Sequence, residues 1–129
     1  MCQKITPAGT YQGRQGFSYF EGVARETVGA RALCLHLLTI PPGGRARAHL
    51  HESHETAVYV ISGTGVMYWG ERLEHRMVSG PGEMVYIPAG VPHLPLNEGT
   101  EPVLAVIART DPHEQESVVL RPDLDALVG

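Results

Sequence analysis

The stretch "GEMVYIPAGVPHLPLN", residues 82–97, decides how this chain folds. "MVYIP" is short and rich in β-branched and aromatic side chains, the composition of a strand. It runs straight into "PAGVP", where two prolines restrict the backbone and Gly90 gives a turn its freedom, so one histidine, His93, is delivered at a fixed point. The same grammar extends outward on both sides. "RALCLHLLTI" (31–40), "AVYVIS" (57–62), "VMYW" (66–69) and "VLAVIA" (103–108) are all short apolar runs. "PPGG", "SGTG" and "SGPGE" punctuate them, and the 15 Gly and 10 Pro fall between the runs rather than in one linker. Consecutive antiparallel strands closing into a sandwich or barrel follow from that spacing, making the chain all-β. The one helix candidate, "RPDLDALVG" (121–129), is too short to anchor anything alone. No internal repeat or low-complexity tract interrupts the pattern.

The whole chain sets bounds on function. Its 129 residues suit one domain that buries roughly two-thirds of its unfolded surface. A formal net charge of -4, with only Arg45 and Arg47 close together, argues against nucleic acid or an anionic membrane as partner. "MCQKITPAGT" at the start has no apolar core, so it does not read as a secretory signal, and no apolar run approaches the ~20 residues of a membrane helix. Cys2 and Cys34 are the two cysteines, which predicts a reducing, cytoplasmic setting without a disulfide framework; Cys34 reads as a small buried hydrophobe.

The chemistry concentrates in "AHLHESHE", residues 48–55, with His49, His51, His54, Glu52 and Glu55. His49 and His51 lie two apart in the strand candidate "RARAHLH", so period two puts both imidazoles on one face, where their nitrogens can meet one cation. Gly82, Pro88, Gly90, His93 and Asn97 match G-x5-P-x-G-x2-H-x3-N, the second motif of the cupin family, at every fixed position. Gly43, His49, His51, Glu55 and Gly63 resemble the first cupin motif, G-x5-H-x-H-x3-4-E-x6-G, with one defect. The two motifs cover residues 43–97.

The resemblance implies a cupin jelly-roll β-barrel, a single domain over residues 1–129 with its core at about 31–110 and a loosely ordered arm at residues 1–16. It implies one divalent transition metal held by His49, His51 and His93. The nitrogen-rich set suits Fe, Mn, Ni, Cu or Zn rather than Ca or Mg. The defect concerns the fourth ligand. The family's glutamate belongs six residues before Gly63, where Thr56 stands; Glu55 leaves seven. Strand parity adds that if Val58 and Val60 face inward, so do Thr56 and His54, whereas Glu55 points out with Ala57 and Tyr59 unless a bulge re-aims it. Three histidines with water, four through His54, and three plus Glu55 all stay open.

By resemblance, the activity is that of a metal-dependent enzyme of dioxygenase, isomerase or decarboxylase type acting on a small oxygenated molecule. The alternative is a non-catalytic module that binds or senses a small molecule. Glu55 and Tyr59 are the first candidates for a general acid or base. Asn97 reads as a loop tie, His36 as a core residue, and His113 as solvated; Tyr68, Trp69, Glu71, Arg72, Glu74 and His75 read as an exposed hairpin. Open sheet edges and the N-terminal arm predict a homodimer.

Overall fold

The structure, a computed structural model, describes residues 1–6, 10–12, 18–113 and 118–128. It is built almost wholly of antiparallel strands in two hydrogen-bonded sheets. The first sheet holds β1 (Thr10–Gln12), β2 (Ser18–Val23), β3 (Cys34–Ile40), β5 (Thr56–Ser62), β8 (Met84–Ile87) and β10 (Val103–Arg109), in the order β1-β2-β3-β10-β5-β8. The second holds β4 (His49–His51), β6 (Gly65–Trp69), β7 (His75–Ser79), β9 (His93–Leu96) and β11 (Val118–Leu120), in the order β11-β4-β9-β6-β7. This is the jelly-roll arrangement expected from the motifs, built as two sheets that enclose an interior. Part of the arm expected at residues 1–16 lies outside the described residues; within it, β1 pairs with β2 of the same chain.

Alternation explains which face points inward. Along β3, Cys34, His36, Leu38 and Ile40 are buried while Leu35 is exposed. Along β10, Val103, Ala105, Ile107 and Arg109 are the buried positions. These two strands pair in continuous register from Val103–Ile40 to Arg109–Cys34, so their inward side chains stack in layers. Leu38, Ile40, Val60, Val103 and Ile107 form one apolar cluster. Ala48, Leu73, Leu94, Leu124 and Val128 form a second.

Two glycines show where backbone geometry leaves no alternative. Gly63, between β5 and β6, has φ 78°, and a Cβ there would stand 2.2 Å from the Pro102 carbonyl oxygen. Gly90, in the turn before His93, has φ 79° and donates its N–H to the His51 carbonyl at 2.7 Å. That bond ties the second motif's turn to the end of the strand carrying the first.

The C-terminus does more than its length suggested. The short helix α2 (Pro122–Asp125) buries Leu124, and the Asp125 carboxylate accepts the Ala48 N–H at 2.7 Å. Arg45 donates to the Asp125 and Val128 carbonyls. The segment leading into β4 is therefore clamped from the C-terminal side, one residue before His49. A second four-residue helix, α1 (Arg25–Val28), follows β2. Cys2 is exposed and Cys34 buried, and no disulfide joins them.

Candidate metal centre

His49 and His51 project to the same side of β4, both buried, as period two requires. His93 opens β9, directly opposite His49 in the sheet register. The ring centroids of His49 and His93 lie 4.3 Å apart, and those of His51 are 5.2 Å from His49 and 5.5 Å from His93. One ligand nitrogen from each of the three can be chosen so that all lie within 4.8 Å of one another. Three imidazole nitrogens grouped this closely could serve one cation, to which imidazoles bind at about 2.0–2.1 Å.

The backbone also fixes ring orientation. His49 Nδ1 lies 2.7 Å from the Arg47 carbonyl, and His93 Nδ1 lies 2.9 Å from the Val91 carbonyl. A carbonyl can only accept, so in the neutral rings Nδ1 carries the proton and Nε2 keeps a lone pair. Carbonyl-held imidazoles of this kind are how proteins orient metal ligands. His51 Nδ1 is buried with no hydrogen-bond partner.

The electrostatics favour neutral rings. Burial, reinforced by neighbouring positive charge, lowers the proton affinity of His49 and His51 well below the ordinary histidine range. Burial lowers His93 to about 4 even though its carbonyl bond pulls the other way. Near pH 7 all three rings are unprotonated, the state that binds a cation.

The fourth-position candidates separate cleanly. Glu55 is exposed on the outer surface, where its Oε1 accepts the Tyr86 hydroxyl at 2.6 Å. Its backbone pairs with Thr110, and the register irregularity between β5 and β10 falls at Leu104/Ala105, at the far end of the strands. No bulge turns Glu55 inward. Thr56 is buried, lines the interior, and its Oγ1 has no hydrogen-bond partner. His54 is buried beside the cluster, its ring centroid 4.4 Å from that of His51 and its Nδ1 3.4 Å from an Asp111 carboxylate oxygen. It lies outside the three-histidine set and does not line the cavity.

The histidines sit at one end of a cavity of about 100 Å³ that lies between the sheets and opens to solvent. No Asp or Glu lines it among the described residues. Both candidate acid–base residues from the sequence, Glu55 and Tyr59, are exposed on the outer face. Asn97 is a loop tie: its amide donates to the Ile40 and Glu101 carbonyls and its oxygen accepts the Gly99 N–H. His36 is buried in β3 and lowered to about 3, chiefly by burial and then by Arg109. His113 faces Glu26 near the surface, and Trp69 stacks on His75 at 4.2 Å beside exposed Glu71, Arg72 and Glu74. Tyr68, half-buried, packs against the second apolar cluster.

One residue of the cavity escaped the sequence reading. Arg109, 4% exposed, lines the same space as the three histidines. The signal was present: in "VLAVIAR", alternation places residue 109 on the face of 103, 105 and 107.

The sequence matches the family model described as a cupin domain over residues 36–108. Among solved structures, the fold is similar to the polyketide cyclase RemF from Streptomyces resistomycificus, with TM-score 0.77, 21% identity, and coverage of 96% of this chain and 90% of that one. It is similar to a recombinant oxalate oxidase in complex with glycolate, with TM-score 0.72, 20% identity, and coverage of 93% and 62%. It is also similar to a sugar phosphate isomerase of a cupin superfamily from Silicibacter pomeroyi, with TM-score 0.62, 21% identity, and coverage of 78% and 66%. No curated protein sequence matches significantly.

Proposed function

The chain belongs to the cupin domain family, and from that premise we propose that it is a metal-dependent enzyme acting on a small oxygenated molecule inside the barrel. The observation that carries this reading is the convergence of three buried, unprotonated histidines, His49, His51 and His93, at the end of a cavity between the sheets. Relatives of the fold include a cyclase, an oxidase and an isomerase, so likeness of fold supports chemistry on a small molecule without choosing the reaction.

The three histidines would hold one divalent transition metal, Fe, Mn, Ni, Cu or Zn, with water or His54 in fourth place. Such an ion supplies Lewis acidity toward a carbonyl or enolate oxygen, or a place for O2. The outward turn of Glu55 supports a ligand set without a carboxylate, which leaves the site one unit more positive than the family's motif would. Thr56, in the place of that glutamate, offers a hydroxyl to an incoming oxygen atom. The apolar walls keep water from the reacting atoms.

Elemental analysis of protein made in metal-replete medium tests the assignment. Close to one ion per chain is expected, and a His51→Ala variant that keeps its full metal content would overturn it. One observation favours the alternative, a non-catalytic binding or sensing module: no carboxylate lines the cavity among the described residues. Turnover of a bound small molecule by the metal-loaded protein, absent from the metal-free protein, decides for the enzyme.

The same reading takes residues 1–129 as one domain with a core at about 31–110, in a reducing, cytoplasmic setting with which two cysteines outside any disulfide agree. It also takes the protein as a homodimer. Tyr59, Ile61, Met84 and Tyr86 stand exposed together on the outer face of β5 and β8, with Met84 at 78% exposure, a grouping that solvent disfavours. Sedimentation at micromolar concentration should give a dimer that Met84→Asp converts to monomer.

A further inference from the structure

One polar side chain of the cavity has nothing to bond to. Thr56 is 3% exposed and lines the same space as the three histidines, and its Oγ1 has no hydrogen-bond partner among the described residues. A buried hydroxyl left unpaired costs stability, a cost that Val58 and Val60, the next lining positions on β5, do not carry. The fold places this hydroxyl at the histidine end. Thr56 opens β5 opposite Ile87, from which the turn of residues 88–92 leads directly to His93. The other lining hydroxyl, Ser79, pairs with Gly65, at the opposite end of β6 from Trp69, the register partner of His93. Arg109 also lines the cavity but is already engaged.

We propose that Thr56 determines specificity: its hydroxyl donates a hydrogen bond to the substrate atom that faces the metal-binding histidines. It thereby selects a small, largely apolar molecule whose metal-directed atom is an oxygen acceptor, such as a carboxylate or enolate. This deepens the proposed function and rests on that reading of the site.

Three observations carry it. First, the hydroxyl is buried, unpaired and in the cavity, so its proton is available to whatever enters. Second, Thr56 stands six residues before Gly63, where the first motif has its glutamate. The threonine oxygen sits directly on Cβ, whereas a glutamate oxygen lies two carbons further out, so the space a carboxylate would fill is left to a ligand. A neutral hydroxyl is not among the side chains that bind zinc-like ions, so it serves the ligand rather than the ion. An oxygen bound to a cation keeps a lone pair to accept this bond; an imidazole nitrogen does not. Third, the remaining walls include Leu38, Ile40, Val60 and Ile107, and the cavity measures about 100 Å³. That is less than the roughly 150 Å³ known to take up benzene. The part of the molecule inside is therefore a short branched chain or a small ring, with few polar groups of its own.

The test compares wild type with Thr56→Val, which keeps the β-branched shape without the hydroxyl, and Thr56→Ser, which keeps the hydroxyl. Cobalt(II)-loaded protein is titrated by visible absorption with isobutyrate, whose bound oxygen still accepts a hydrogen bond, and with 1-methylimidazole, whose bound nitrogen cannot. Thr56→Val should lose about tenfold or more for isobutyrate, the range for a hydrogen bond to a charged group, and little for 1-methylimidazole. Thr56→Ser should keep most of the isobutyrate affinity. In thermal melts of the metal-free proteins, Thr56→Val should melt as high as wild type or higher, because it removes an unpaired buried group. No loss for isobutyrate, an equal loss for both probes, or a Thr56→Val chain that melts lower or fails to fold would overturn the inference. If the wild type takes up no ion, the proposed function fails by that measurement alone. Isobutyrate titrated by calorimetry into the metal-free chain then decides this inference: weaker binding to Thr56→Val supports it, and equal binding or none overturns it.

Discussion

The histidine end and the apolar end of the interior are built by the same strands and obey the same alternation, yet they solve opposite problems. At the apolar end Leu38, Ile40, Val60 and Val103 pack into one cluster and stabilise the fold by leaving water. At the other end His49, His51, His93, Thr56 and Arg109 occupy equivalent inward positions and bury polar groups, two of which, His51 Nδ1 and Thr56 Oγ1, have no hydrogen-bond partner. Such groups cost stability where apolar ones add it. The difference teaches that the fold is held by one end and the candidate metal site by the other, so changes at each end should affect different measurements.

The largest expected effect is at the histidine end. His51→Ala should reduce metal affinity by more than about 100-fold, beyond what losing a mere supporting group does. Metal-free melting should change little, because the lost ring carries a buried nitrogen without a partner. A chelator competition and a thermal melt read both. At the apolar end, Leu38→Ala should do the reverse, costing about 2–5 kcal/mol of stability by opening a cavity while keeping one ion per chain at saturating metal. Loss of the ion there, or of stability in His51→Ala, would break the division between the ends.

Acid should act through the histidine end. His36 at about 3 and His93 at about 4, with His49 and His51 also lowered, stay neutral in the metal-free fold. In the unfolded chain they take protons near 6.5. The unfolded state therefore binds more protons as pH falls below about 6.5, and stability drops with it, by about 1.4 kcal/mol per pH unit for each ring held neutral. Urea unfolding of metal-free protein at pH 7 and pH 5 should show this loss, with the same difference in Leu38→Ala. The sequence alone predicts that protons compete with the metal through the ordinary histidine range; burial moves that competition to more acid pH.

Smaller effects sharpen the boundary of the site. Glu55→Ala should change metal affinity less than about threefold, because its carboxylate lies outside, on the Tyr86 hydroxyl. His54→Ala should weaken it more, through the lost contact with His51. Thr56→Glu, which restores a carboxylate at the inward position, should tighten it. A damaging Glu55→Ala in the chelator titration would mean that the strand rearranges around the ion.

Much of this was legible in the chain itself. Short apolar runs between Gly/Pro clusters specified antiparallel strands, because period-two alternation and turn chemistry are local. The spacing of Gly82, Pro88, Gly90 and His93 set the turn that presents one histidine, and parity placed Thr56 inside and Glu55 outside. Only the tertiary structure brought β9 against β4 so that His93 faces His49 across 44 residues of sequence. It alone closed α2 onto the segment before β4, set Asp111 against His54, and put Arg109 in the same cavity as the histidines. The reason is physical: alternation fixes which face a side chain takes, but which faces meet depends on sheet order, and sheet order is decided by burial of the whole chain at once.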